Sequence, residues 1–363
     1  MSKPRSCAAF VTLLMLAACA TPVKKPLVDR FPLRFPLIEA GSLEIEGHIV
    51  GQPRAGLDIV CYATQEGYAT AVVVPSRSVF WRFKADHSIS ASIDLAGVAT
   101  LFRDDGRILY FLGHDGKLIY RMQLDDIVST PVRVIQAGYV FGTAEGNILA
   151  LGADGWEHRP SVPGAKVTAG PVLVDGDEGL RGPILFGRSD GLLVAVDTWG
   201  KPLWEFWAEG AIQVDPAAAG GHIYFGDSER MFYCLNAATG KVKWRRRLQG
   251  APLHPAVISG GTVVVAASNS VIYLLSARGG SILSWETVPS RVVYELAAAG
   301  PLVLVSSASP DVTAFEIKTG KRVGQYAASG PLVAGAVWTP PYIVLFVENG
   351  ESGRQKIVFL RSR

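Results

Sequence analysis

Gly187-Arg188-Ser189-Asp190-Gly191 has the Gly-x-Ser-x-Gly spacing of a nucleophile elbow, which holds a serine on a sharp turn between a strand and a helix. Two stretches at equivalent places along the chain, Gly142-Thr143-Ala144-Glu145-Gly146 and Gly226-Asp227-Ser228-Glu229-Arg230, keep the local character without the full pattern, so position in a repeat accounts for the match. The histidines (His48, His87, His114, His158, His222 and His254) are scattered, and no His-Glu-x-x-His or Cys-x-x-Cys occurs to build a zinc site. Lysine follows glycine at Lys117, Lys201, Lys241 and Lys321, but the earlier glycine and the following Ser/Thr of a phosphate loop are missing. Asp175-Gly176-Asp177-Glu178 clusters carboxylates without the ligand ladder of a calcium loop and reads as a solvated insertion. Lys241, Lys243, Arg245 and Arg247 alternate, which on a strand puts four cations on one face, either protecting a sheet edge or forming a docking patch. The expectation is therefore a protein that is not an enzyme, with no catalytic, cofactor-binding or metal residue and no cofactor.

The elements that carry these residues repeat. A small residue, or arginine once, precedes glycine at Ala55-Gly56, Ala96-Gly97, Ala137-Gly138, Arg181-Gly182, Gly220-Gly221, Gly260-Gly261 and Ala299-Gly300, and each pair introduces an apolar run. The glycines are 39 to 44 residues apart, and a further step reaches Pro341 before Tyr342 to Val347, giving eight registers. Within a register, runs such as His222 to Asp227, Arg230 to Leu235 and Lys241 to Trp244 are separated by turns such as Asp190-Gly191 and Thr239-Gly240, where glycine supplies the positive φ of a tight hairpin. An aromatic follows the second turn glycine at a fixed offset (Tyr120, Trp204, Trp244), with Trp285 one residue late and Trp81 closing the first register. Such a ring on an outer strand covers the flank of the next sheet, so these tryptophans are packing material.

Four strands per roughly forty-residue unit predict an all-β, eight-bladed β-propeller of four-stranded antiparallel blades. A linear β-solenoid competes, but its repeats are usually shorter. The last register has only three runs, and an orphan strand at Ser42 to Ile49 precedes the first. Closure by that N-terminal strand joining the C-terminal blade leaves no edge without a partner. Cys61 and Cys234 then fall four blades apart, beyond disulfide reach, and are expected as buried free thiols.

Of the 363 residues, 49% are hydrophobic and 18% charged, which suits a large core and excludes a disordered or collagenous chain. The 39 glycines and 22 prolines are spread out, as many short elements require. Net charge is +3, and Lys3 and Arg5 lie in a leader whose removal leaves +1, which argues against nucleic acid as a partner. That leader combines those cations, an apolar stretch from Ala8 to Leu16, and Leu16-Ala17-Ala18-Cys19. Its end resembles the lipobox of bacterial lipoproteins, which implies cleavage after residue 18 and lipid attachment at Cys19. An ordinary secreted protein is the plainer alternative. The expected organisation is a signal peptide over 1–18, a proline-containing tether over 19–40, and the propeller over 41–363. With no aspartate after Cys19, the resemblance implies a periplasm-facing protein anchored to the outer membrane.

Gly221 to Trp244, with its apolar-Tyr-apolar-Gly strand, its apolar-aromatic-x-Leu strand and Thr-Gly-Lys-x-x-Trp, resembles the pyrroloquinoline-quinone-type propeller repeat. The pattern is strong in registers four to six and degenerate in one, three and seven. Together with the lipobox, the chain resembles the BamB family of accessory lipoproteins of the outer-membrane barrel-assembly machine. That resemblance implies a non-catalytic, lipid-anchored scaffold, monomeric within a larger complex, whose partner is the periplasmic domain of the barrel-assembly core protein. In the family this partner docks on connectors between neighbouring blades. The comparable connectors here hold Lys166 and, in the next, Gln213-Val214-Asp215-Pro216, which makes Lys166, Gln213 and Asp215 the partner-binding candidates. The family's Leu-x-Leu-Arg connector is absent, and Asp215 alone resembles its acidic counterpart. Two other readings fit the same repeat: a lipoprotein serving another envelope complex or binding a glycan in the channel, and a quinone-dependent dehydrogenase. The adjacent cysteines and long insertions of the latter class are missing.

Overall fold

A computed structural model describes residues 32–96, 99–135, 138–152, 157–158, 164–174, 182–350 and 352–363. The signal peptide, Cys19 and residues 19–31 of the expected tether lie outside the described residues, as does the Asp175 to Glu178 cluster.

The chain forms eight four-stranded antiparallel sheets arranged as the blades of a propeller, with no helix among the described residues. Blade 1 runs outward through Ile49–Ala55, Ile59–Thr64, Tyr68–Val73 and Ser78–Lys84. Blades 2 to 7 repeat the order over 94–123, 133–158, 167–207, 217–247, 257–287 and 297–327. The two middle strands of each blade are sandwiched between neighbouring blades, so both faces are apolar. Leu192–Val196 and Thr262–Ala266, for example, are buried throughout. Eight apolar clusters result, one in each gap between consecutive blades. Cys61 belongs to the cluster between blades 1 and 2 and Cys234 to that between blades 5 and 6, so both are buried free thiols.

Blade 8 takes three strands from the C-terminus, Leu332–Thr339, Tyr342–Glu348 and Gln355–Ser362. Its outermost strand comes from the N-terminus, Leu37–Ile45, paired from Leu37 with Ser362 to Ile45 with Gln355. Closure by the N-terminal strand therefore holds, but its limits differ from the expected Ser42 to Ile49. Leu33 and Leu37 are drawn into the apolar cluster between blades 7 and 8, which starts the strand earlier and brings residues 37–40 of the expected tether into the ring. The chain then turns at Gly47 (φ +101°), and Ile49 opens the inner strand of blade 1.

The sequence registers are offset from the blades by one strand. Each register's last, loose run is the inner strand of the following blade; Val257–Ser259, for instance, begins blade 6. These inner strands are only three residues long in blades 2, 3, 5, 6 and 7, which explains their faint signal.

Candidate functional site

The connectors that lead from one blade's outer strand to the next blade's inner strand carry the predicted docking residues. Lys166 is exposed immediately before the inner strand of blade 4 (Val167–Leu173), and its carbonyl accepts the Ser189 N–H at 3.0 Å. The connector between blades 4 and 5, residues 208–216, is fixed along its length. Glu209 N–H donates to the Tyr233 hydroxyl at 3.0 Å, Gly210 N–H to Asp227 Oδ2 at 3.0 Å and Ala211 N–H to Ser228 Oγ at 3.0 Å. Ile212 N–H reaches the Arg188 carbonyl at 3.0 Å, and the Ile212 carbonyl in turn accepts the Thr168 hydroxyl. Asp227 also accepts the Tyr233 hydroxyl and the Met231 N–H, so one buried carboxylate ties connector, hairpin and strand together. Gln213 projects from this rigid segment exposed to solvent. Asp215 points the other way: its Oδ1 accepts the Gly170 N–H at 2.7 Å, tying this connector to the inner strand of blade 4, and it lines the axis of the ring.

At that axis lies a cavity of about 510 Å³ whose charged lining comes from one repeat position. Arg54, Asp94 and Arg133 stand at intervals of 40 and 39 residues, and Asp215, Pro255, Glu295 and Gly335 at intervals of 40. Arg54 donates to Glu295 through Nη1 at 2.7 Å and Nη2 at 3.3 Å, reaching from blade 1 to the blade 7 side. Gln52 holds Gly335 in place by accepting its N–H at 3.1 Å. Arg133 pairs with Asp94 Oδ1. Burial pushes the carboxyls of Asp94 and Asp215 above the ordinary aspartate range, against the pull of Arg133 and Arg54. Sequence reasoning missed this ring; its only trace was the spacing of near 40 residues between charges that differ in sign.

Outer strands form the rim, and the fixed-offset aromatics behave as packing groups. The Trp204 ring lies against Gly240 of blade 5 and its Nε1 donates to the Ala237 carbonyl at 3.0 Å. Trp244 does the same one blade on, with Gly280 and the Ala277 carbonyl at 3.0 Å. Trp81 covers Gly116 of blade 2. Trp285 does not join this series. Its extra residue of offset leaves Ser284 against Gly320 and turns the indole outward, 60% exposed. Gly324 stands at the ring position of blade 7, and Phe35 from the segment before the closing strand fills the space.

The four alternating cations of blade 5 do not share one uninterrupted face. A bulge between Val242 and Trp244 breaks the period. Beyond it Arg245 and Arg247 both pair with Glu209, at 3.1 and 3.2 Å, while Arg246 donates to the Gly280 carbonyl. Ser189 sits in a two-strand hairpin between Ile184–Arg188 and Leu192–Val196, with no helix behind it, so the elbow geometry is absent. Among the described residues no group of three His, Cys, Asp or Glu side chains is placed to hold a metal.

The profile of a family described as "Outer membrane protein assembly factor BamB" matches residues 189–344. Two proteins of that same description are similar in sequence. The one from Burkholderia pseudomallei (strain K96243) is 25% identical over 305 residues, covering 77% of each chain. The one from Yersinia pestis is 35% identical over 65 residues, covering 18% of this chain and 16% of that protein. Among solved structures, BamB from Moraxella catarrhalis superposes with a TM-score of 0.73 at 16% identity, covering 90% of this chain and all (100%) of that one. A quinohemoprotein alcohol dehydrogenase from Comamonas testosteroni gives a TM-score of 0.66 at 12% identity, covering 90% of this chain and 76% of that chain. At such identities the structural likeness concerns the fold.

Proposed function

We propose that this BamB-like propeller of pyrroloquinoline-quinone-type repeats is an outer-membrane assembly factor, a non-catalytic scaffold that docks the periplasmic domain of the barrel-assembly core protein. The observation that carries the reading is the match of residues 189–344 to the assembly-factor profile, a span that includes the rigid connector between blades 4 and 5. Lys166 and Gln213 are the docking residues, each exposed on a connector whose backbone is held by neighbouring blades. Asp215 contributes by position, joining its connector to the inner strand of blade 4 through Gly170. A preorganised surface of this kind loses little conformational entropy on binding.

Cys19 is the lipid attachment point, placing the ring on the periplasmic side of the outer membrane as one copy within a larger complex. The protein itself binds no nucleic acid. The alternative, service to another envelope complex or a glycan held at the axis, shares the fold but predicts a different captured partner. Photo-crosslinkers at positions 166 and 213, introduced in cells, test the reading. Capture of the barrel-assembly core is expected from both sites. Capture of a secretion or polysaccharide component instead overturns it. The dehydrogenase reading predicts a quinone absorbance after soaking with quinone and calcium, and the scaffold reading predicts none.

A further inference from the structure

The turns of each blade open on opposite faces of the ring. Those joining the first strand to the second and the third to the fourth share one face, where the Ala237 N–H donates to the Gly221 carbonyl and the Ala277 N–H to the Gly261 carbonyl, both at 2.9 Å. The connectors lie on the other face, with the turns between middle strands. Along blades 5 to 7 the shared turns present Lys241, Arg278, Lys318 and Lys321, all exposed, and Glu316 is the one carboxylate among the described residues beside them, accepting the Thr319 hydroxyl. Blade 8 adds exposed Arg34, Arg361 and Arg363 at the end of the closing seam, where the Arg34 N–H donates to Ser362 Oγ at 2.9 Å. None of these cations is in an ion pair among the described residues, unlike Arg245 and Arg247 on the rim, which share Glu209. Val242 and Ile282 stand exposed just after the turns of blades 5 and 6, so apolar surface is interleaved with the charge. On the connector face the same blades are mixed, with Glu229, Asp311 and Glu348 beside Arg230, Arg291 and Arg354. A small net charge of +3 thus conceals a one-sided distribution. The closing strand also begins on the basic face, Leu37 opposite Ser362, so the segment leading back to Cys19 joins the ring there.

We propose that the turn face of blades 5 to 8 docks on the surface of an anionic phospholipid bilayer, its lysines and arginines among the phosphate headgroups and Val242 and Ile282 between them. Cations dispersed over successive turns of a rigid ring match a planar array of separate phosphates, and each one near such a surface adds to the attraction. The place where the chain enters the ring favours a bilayer over an acidic protein, because a lipid at Cys19 would hold this face toward the membrane. The connectors on the opposite face stay open to a partner. Only the direction in which the face is turned rests on the lipid-anchor reading; its affinity for the bilayer does not.

The test sediments the chain from residue 20 onward, which keeps every described residue of the ring and carries no lipid, with vesicles of phosphatidylglycerol and phosphatidylethanolamine at low and high salt. Phosphatidylcholine vesicles are the uncharged control. The expected result is a partition coefficient at least about tenfold higher for the anionic vesicles, falling as salt rises. Lys241→Glu with Lys321→Glu is expected to lower that coefficient at least about tenfold. Arg291→Glu with Arg354→Glu makes the same change of charge on the connector face and is expected to alter it less than about threefold. Because no lipid is attached and no protein partner is present, the result is independent of crosslinking to the barrel-assembly core. Equal partition into phosphatidylcholine, equal losses in the two double variants, or tighter binding to poly-L-glutamate, the mark of an acidic protein partner, overturns the proposal.

Discussion

Trp244 and Trp285 are alike in sequence position and unlike in structure, and replacing each by alanine separates the two roles. Trp244 is 9% exposed, its ring lies on Gly280 of the next blade, and Tyr224 and Phe232 pack beside it at centroid distances of 6.0 and 6.2 Å. Removing a buried indole costs about 3–5 kcal/mol. Loss of the Nε1 donor to the Ala277 carbonyl adds to the cost in proportion to how far water fails to replace it. Trp285 is 60% exposed and makes no comparable contact, so its truncation should change stability by no more than about 0.5 kcal/mol. The assay is urea unfolding followed by far-ultraviolet circular dichroism, comparing free energies at matched m values. Gly280→Ala supplies the complementary perturbation. Its added Cβ would sit 2.4 Å from Trp244 Cε3 at a φ of +67°, and a double-mutant cycle should show that part of its cost vanishes when Trp244 is already alanine. Equal losses for Trp244→Ala and Trp285→Ala, or a loss under about 1 kcal/mol for Trp244→Ala, would refute the assignment of the ring to the blade seam.

Cys61 and Cys234 are expected to resist alkylation in the native protein and to react on unfolding, because burial pushes their thiols up to about 12 and about 11; rapid native labelling would contradict this. Glu66 predicts an acid limb. Its partial burial raises the carboxyl, but hydrogen bonds from His48, its own backbone and Thr64 outweigh that and hold it at about 2. With the folded value below the unfolded one, its stabilisation is complete above the ordinary carboxylate range and is lost as pH falls toward about 2. Glu66→Gln should therefore flatten the stability profile in that window, and an unchanged profile would count against it. Phe35→Ala opens a gap over Gly324 and should speed amide exchange in Leu37–Ile45 while leaving blade 4 unaffected; uniform acceleration would deny Phe35 a local role.

The blade count was legible because glycine turns and middle strands recur with little variation, each dictated by the same hairpin and the same two-sided burial. The closing strand's limits were not, since Leu33 and Leu37 gain their burial from blade 7, residues near 300 that no local pattern reveals. Trp285 misled for a related reason: one extra residue before it moves an identical side chain from a seam to solvent. The axial charges escaped notice because each is complemented in a different repeat, Arg54 by Glu295 and Arg133 by Asp94, so neither pair has a signature within its own register. Lys166 and Gln213 lie exposed on the connectors where repeat position puts them, whereas the inward turn of Asp215 depends on a backbone N–H, that of Gly170, in the inner strand of blade 4.

The seam between Leu37–Ile45 and Gln355–Ser362 sets an order of events for a chain made from its N-terminus. Of the ring's strands, the first to be made is the last to find its mate, and the sheet edge it must complete does not exist until Gln355–Ser362 has been made. Contacts so distant in sequence form slowly, and an unsatisfied apolar edge is prone to pair with the wrong neighbour in the interval. Whatever shields residues 37–45 during that wait determines the yield of closed rings.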